Sequence, residues 1–118
     1  MINKLSKEAY ENTIAHGWND KDRSFGDVIA LIHSELSEAL EEYRNKKWFN
    51  EIYYNDNSEK PLGIPIELAD VVIRVFDVCG KYDIDLEKAI RIKMEYNSKR
   101  PFKHGDKIIW ERRINYIC

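Results

Sequence analysis

Residues 67–77, ELADVVIRVFD, decide how the rest of the chain is read. Leu68, Val71, Val72, Val75 and Phe76 recur at helical spacing, the pattern of a helix packed against neighbours. The same stretch carries Glu67, Asp70, Arg74 and Asp77, which fall in one ~80° strip of the helix wheel flanked by apolar positions. A dry interior penalises a carboxylate by several kcal/mol unless a cation compensates it. A single arginine does not neutralise three acids, so the strip implies a cleft that receives positive charge from elsewhere.

Outward from this helix, Pro65 suits its first turn, where the missing N–H would be unpaired anyway, and Gly80 marks its end. Upstream, Ser24 or Asp27 caps a second strong helix that runs to about Arg44 with a stripe of Val28, Ile32, Leu36, Ala39, Leu40 and Tyr43. On its wheel Glu35, Glu38 and Glu42 lie within ~60° of one another at the edge of that stripe, whereas Glu41 points elsewhere. A weaker pattern through Leu5, Ala9 and Ile14 predicts a helix over about 3–17, ended by the turn-forming HGWND. Downstream, Asp83 or Asp85 caps a helix to about Ser98 with Leu86, Ala89, Ile90 and Met94 inward. The long segment NKKWFNEIYYNDNSEKPLGIP, rich in Asn, Ser, Gly and Pro toward its end, reads as a connection. No convincing strand is found, so the expectation is an all-α, four-helix-bundle-like protomer. The tail KIIWERRINYIC suits either a docked helix or a subunit contact.

The chain has 118 residues, enough for one domain spanning 1–118. Apolar residues at 43% and charged residues at 34% place it among globular proteins rather than disordered ones. With 19 Lys and Arg against 21 Asp and Glu, the net charge of −2 gives no global field for a nucleic acid polymer, so any phosphate binding is local. Cys79 and Cys118 build no disulfide framework, and no run approaches the ~20 apolar residues of a membrane span. The opening MINKLSKEAYEN lacks the apolar centre of a signal peptide, so cytoplasmic residence is expected.

Glu35 with Glu38 and Glu67 with Asp70 are two i,i+3 pairs that offer four carboxylates from two helices. Such hard oxygen surroundings suit Mg²⁺, with Mn²⁺ as a substitute. A ferritin-like di-iron site needs Glu-x-x-His on its helices, which the chain lacks, and His16, His33 and His104 are too scattered for zinc. A carboxylate cage holding Mg²⁺ activates water and clamps phosphoryl oxygens, which points to phosphate-ester or phosphoanhydride hydrolysis. Lys93 and Asn97 share the angular stripe of Leu86 and Ile90, and Arg100 continues it, so that face turns polar toward a charged substrate. Trp18, beside Gly17, is the aromatic chosen for stacking on a base; packing is the alternative role for it and for Trp48, Phe49, Tyr53 and Tyr54.

Taken together, ELSE at 35–38, ELAD at 67–70 and KMEYNSKRPFKHGDK at 93–107 resemble the MazG-like nucleotide pyrophosphohydrolases of the all-α NTP pyrophosphatase superfamily. The resemblance covers most of the chain. It implies hydrolysis of a nucleoside triphosphate to the monophosphate and pyrophosphate, with Mg²⁺ held by Glu35, Glu38, Glu67 and Asp70. Glu38 would also orient or deprotonate the attacking water, and Lys93, Asn97, Arg100 and Lys107 would meet the nucleotide. It also implies a homodimer or homotetramer and a role in cleansing the nucleotide pool. Two positions depart from the pattern: Ser34 stands where many relatives have a further glutamate, and Asp106 where they have glycine. The alternative is a catalytically idle helical module that binds nucleotide or a protein partner.

Overall fold

A computed structural model describes residues 1–17 and 23–101 of the chain. Four helices follow in order: α1 (Ile2–Ala15), α2 (Phe25–Arg44), α3 (Ile64–Lys81) and α4 (Leu86–Ser98). Among the described residues the remaining regular pairing is one isolated antiparallel bridge between Tyr53 and Leu62. The fold is therefore all-α, and no helix among these residues is long and apolar enough to cross a membrane. The described residues divide into two units, Met1–Asp85 with α1 to α3, and a second from Leu86 onward built on α4.

Local chemistry sets the helix boundaries close to those expected. The Ser24 hydroxyl accepts from the Asp27 backbone N–H at 3.1 Å and caps α2. Helix α3 starts one residue before Pro65, with Gly63 at its N-cap in a φ of 126°. A methyl group on Gly63 would overlap the Glu51 carbonyl oxygen, so only glycine lets the connection pass so near the start of α3. Tyr53 and Leu62 exchange backbone hydrogen bonds of 2.9 and 2.8 Å, which tie the two ends of that connection together.

Helices α1 and α2 both pack on α3. At the α1–α3 crossing Gly80 faces Ser6 and Tyr10, and a Cβ on Gly80 would overlap the Tyr10 side chain. The buried apolar residues are Ile64, Val78 and Cys79, all on α3, while Ser6 and Glu67 are the buried polar ones among those described. Helix α2 meets α3 through the side bearing Val28, Leu31 and Glu35, which line a pocket with Asp70, Ile73 and Arg74. The apolar stripe of α2 is only partly covered: Val28, Ile32 and Ala39 are half-buried, whereas Leu36, Leu40 and Tyr43 stay open at 45%, 46% and 56% exposed.

Candidate metal centre

The acids of α2 and α3 converge. Glu35, Glu38 and Glu67 each present a carboxylate oxygen within 4.8 Å of the others. Position along the helices explains this: residues three or four apart share a face, so each helix brings its pair to one level, and the antiparallel packing of α2 on α3 sets the levels opposite each other. Glu67 is buried at 9% exposure, and its Oε2 has no hydrogen-bond partner. Asp70, half-buried, feels the negative charge of both Glu35 and Glu38.

Charge and burial act on these groups in opposition to the helix dipole. Glu67 lies in the first turn of α3, where a negative charge gains ~0.3–1 kcal/mol. Desolvation of a carboxylate costs several kcal/mol, and here it wins. Burial first, then a hydrogen bond shared with the Glu38 carboxyl and the charges of Glu38, Asp70 and Glu35, push the Glu67 carboxyl from 4.5 up to about 7. Asp70 is also raised, by burial and by Glu35 and Glu38, against the pull of Arg74 and Lys60.

Arg74 compensates part of this charge. Its Nε donates to Glu35 Oε1 at 2.7 Å across the α2–α3 interface, which leaves one guanidinium among four carboxyl groups. Glu42, read from the sequence onto the same side as Glu35 and Glu38, is engaged differently: the Tyr53 hydroxyl reaches its two oxygens at 3.0 and 2.8 Å. Lys47 Nζ lies 4.3 Å from the centroid of the Tyr53 ring. The Tyr53 hydroxyl is raised above its ordinary value, chiefly by this hydrogen bond to Glu42.

A partnerless buried carboxylate oxygen facing two further carboxylates fits a hard divalent cation: the donors are all oxygen, and a cation would relieve the charge that keeps Glu67 from ionising.

A pocket of about 380 Å³ opens beside the acids within the first unit. Glu35, Asp70, Arg74 and Asp77 line it together with His16, Arg23 and Lys81. Sequence reading passed over Arg23 and Lys81 as ligand groups. Lys81 extends the α3 strip of Asp70, Arg74 and Asp77 by one turn, a signal the wheel does carry; Arg23 precedes the α2 cap and has no periodicity to reveal it.

Lys93, Asn97 and Arg100 belong to the second unit. There Lys93 Nζ and the Arg100 guanidinium lie 5.0 and 5.3 Å from the centroid of the Tyr96 ring, so one aromatic ring gathers both cations. Trp18 and Lys107, like His104, Gly105 and Asp106, lie outside the described residues. No family model matches the chain, and no curated protein or solved structure matches it either.

Proposed function

We propose that this chain is a Mg²⁺-dependent nucleotide pyrophosphohydrolase of the MazG-like kind, converting a nucleoside triphosphate to monophosphate and pyrophosphate. The observation that carries this reading is Glu67: a buried carboxyl with one oxygen unpartnered, hydrogen-bonded to Glu38 and close to Glu35. Such an arrangement costs stability unless a cation joins it, and natural chains retain that cost where function requires it.

Glu35, Glu38, Glu67 and Asp70 would hold Mg²⁺, which supplies, when bound, charge stabilisation of the phosphoryl oxygens and a more acidic water. Glu38 orients the water and takes one of its protons, the other passing to solvent. The water oxygen bonds to phosphorus at the α–β bridge, the bridging P–O bond breaks, and pyrophosphate leaves with the electron pair. Lys93, Asn97 and Arg100 are assigned to the nucleotide by their match to the K-x-x-x-N-x-x-R pattern. The open apolar stripe of α2 supports a homodimer or homotetramer, since a second copy would cover Leu36, Leu40 and Tyr43.

Incubation of the purified protein with each common NTP and dNTP and Mg²⁺ tests the reading. Monophosphate and pyrophosphate are expected in equal amounts for at least one substrate, with a loss of ~100-fold or more in Glu38→Gln and Asp70→Asn, the scale at which general base and metal ligands contribute. Silence across the panel in both Mg²⁺ and Mn²⁺ would remove it. One contact favours a second reading, an idle nucleotide-binding module: Arg74 already occupies an oxygen of Glu35. Calorimetric binding of nucleotide without turnover would select that reading.

A further inference from the structure

Links cross between α2 and α3 on both sides of the facing acids. On one side the link is direct: Arg74 Nε donates to Glu35 Oε1 at 2.7 Å. On the other it runs through the connection between the helices. Glu42 accepts from the Tyr53 hydroxyl, at 3.0 and 2.8 Å to its two oxygens, and Tyr53 pairs through its backbone with Leu62. Leu62 adjoins Gly63, the N-cap of α3, whose carbonyl accepts from the Glu67 N–H at 3.0 Å. A continuous path of chain and hydrogen bonds thus joins α2, one turn past Glu38, to the first turn of α3. Glu35 and Glu42 are ~10 Å apart along the helix axis, and Glu38, with Glu67 against it, falls between them.

Neither packing nor base stacking, the roles open to Tyr53 in sequence, requires its hydroxyl. The ring has a contact of its own, since Lys47 Nζ lies 4.3 Å from its centroid. What the hydroxyl adds is a tether at a place under load. Carboxyl groups that face one another repel when ionised, and the repulsion acts to spread α3 from α2. Arg74 opposes it with positive charge at the Glu35 end. A second cation at the Glu42 end would compete with a metal for the same carboxylates, whereas a neutral hydroxyl closes that end and leaves their charge intact. After Glu42, the charges of Glu51 and Glu67 also act on this hydroxyl. Resting on the reading of the acids as a divalent-cation centre, we infer that Tyr53 is a positioning residue of that centre: acting through Glu42, its hydroxyl holds the first turn of α3 to α2, so that Glu67 and Glu38 converge on one ion.

Titration with Mn²⁺, followed by the electron paramagnetic resonance signal of the free ion, tests this without any nucleotide. The full chain is used, below the melting temperature of each variant. Tyr53→Phe keeps the ring, and is expected to weaken Mn²⁺ binding by ~10-fold or more, the scale on which groups that orient metal ligands contribute. Glu42→Ala is expected to weaken it comparably, and adding Tyr53→Phe to Glu42→Ala to weaken it little further, because the two side chains act as one link. Glu42→Gln, whose amide oxygen still accepts from the hydroxyl, should bind more tightly than Glu42→Ala. Unchanged affinity in Tyr53→Phe, a loss that persists in full in the Glu42→Ala background, or equal affinities of Glu42→Gln and Glu42→Ala would overturn the inference while leaving the metal centre and the hydrolase reading in place. A parent protein that binds no Mn²⁺ would overturn the inference and the metal centre together.

Discussion

At Glu67 two preferences of a carboxyl group collide. The first turn of a helix favours its charge, whereas burial beside Glu38, Glu35 and Asp70 opposes it, and the outcome is a group pushed up to about 7. Because its folded value lies above the unfolded one, ionised Glu67 destabilises the fold. The penalty is absent below the unfolded value of about 4.5, grows as pH rises, and is complete above about 7. Without metal, the melting temperature is therefore expected to fall between pH 4.5 and pH 7, to a degree that Glu67→Gln largely removes. A divalent cation reverses the balance by demanding the ionised form. Mg²⁺ affinity is expected to strengthen as pH rises through about 7, with proton release on binding, which calorimetry in buffers of different ionisation enthalpy would register; metal binding independent of pH over this range would contradict the assignment. Glu67→Gln should lose hydrolysis by ~100-fold or more while melting higher than the parent in metal-free buffer at pH 8.

Among the elements, α3 carries most of the organisation. Its apolar residues Ile64, Val78 and Cys79 are the buried ones, its acids face α2, and Gly80 admits α1 at close range. Periodicity made α3 legible in sequence, along with the acidic strip and the proline near its start. The close approach at Gly80 was not legible, because a glycine near a helix end is read as a terminator and nothing local reports Tyr10 against it. Gly80→Ala removes no hydrogen bond and has higher helix propensity, yet its methyl would overlap the Tyr10 side chain. Overpacking of this kind typically costs ~1–3 kcal/mol, more than the propensity gain of ~1 kcal/mol. The substitution is expected to lower stability in chemical denaturation, and pairing it with Tyr10→Ala should recover part of the loss.

For the molecule as a whole, the notable feature is how much apolar surface the described fold leaves open. Helix α2 turns its Val28, Leu31 and Glu35 side to α3, while Phe25, Ile29, Leu36, Leu40 and Tyr43 remain exposed. An open stripe of this size is the kind of surface a partner covers, and in the proposed oligomer a second copy would cover it. Light scattering is expected to give a mass at least twice that of the chain, and Leu36→Glu with Leu40→Glu should reduce it to the monomer while melting becomes independent of concentration. A monomeric parent protein would contradict this. Sequence alone determined the helical class, the positions of the helices to within a residue or two, and the placement of four acids as two facing-capable pairs, because all of these follow from local spacing and capping. Only the tertiary structure decided that α2 turns the acidic edge of its stripe, with Val28, to α3 and leaves Leu36, Leu40 and Tyr43 open, that Arg74 goes to Glu35 and Tyr53 to Glu42, and that Arg23 and Lys81 share a pocket. Those outcomes depend on contacts between residues far apart in the chain, where the competing faces of a helix differ by packing and charge that no single segment contains.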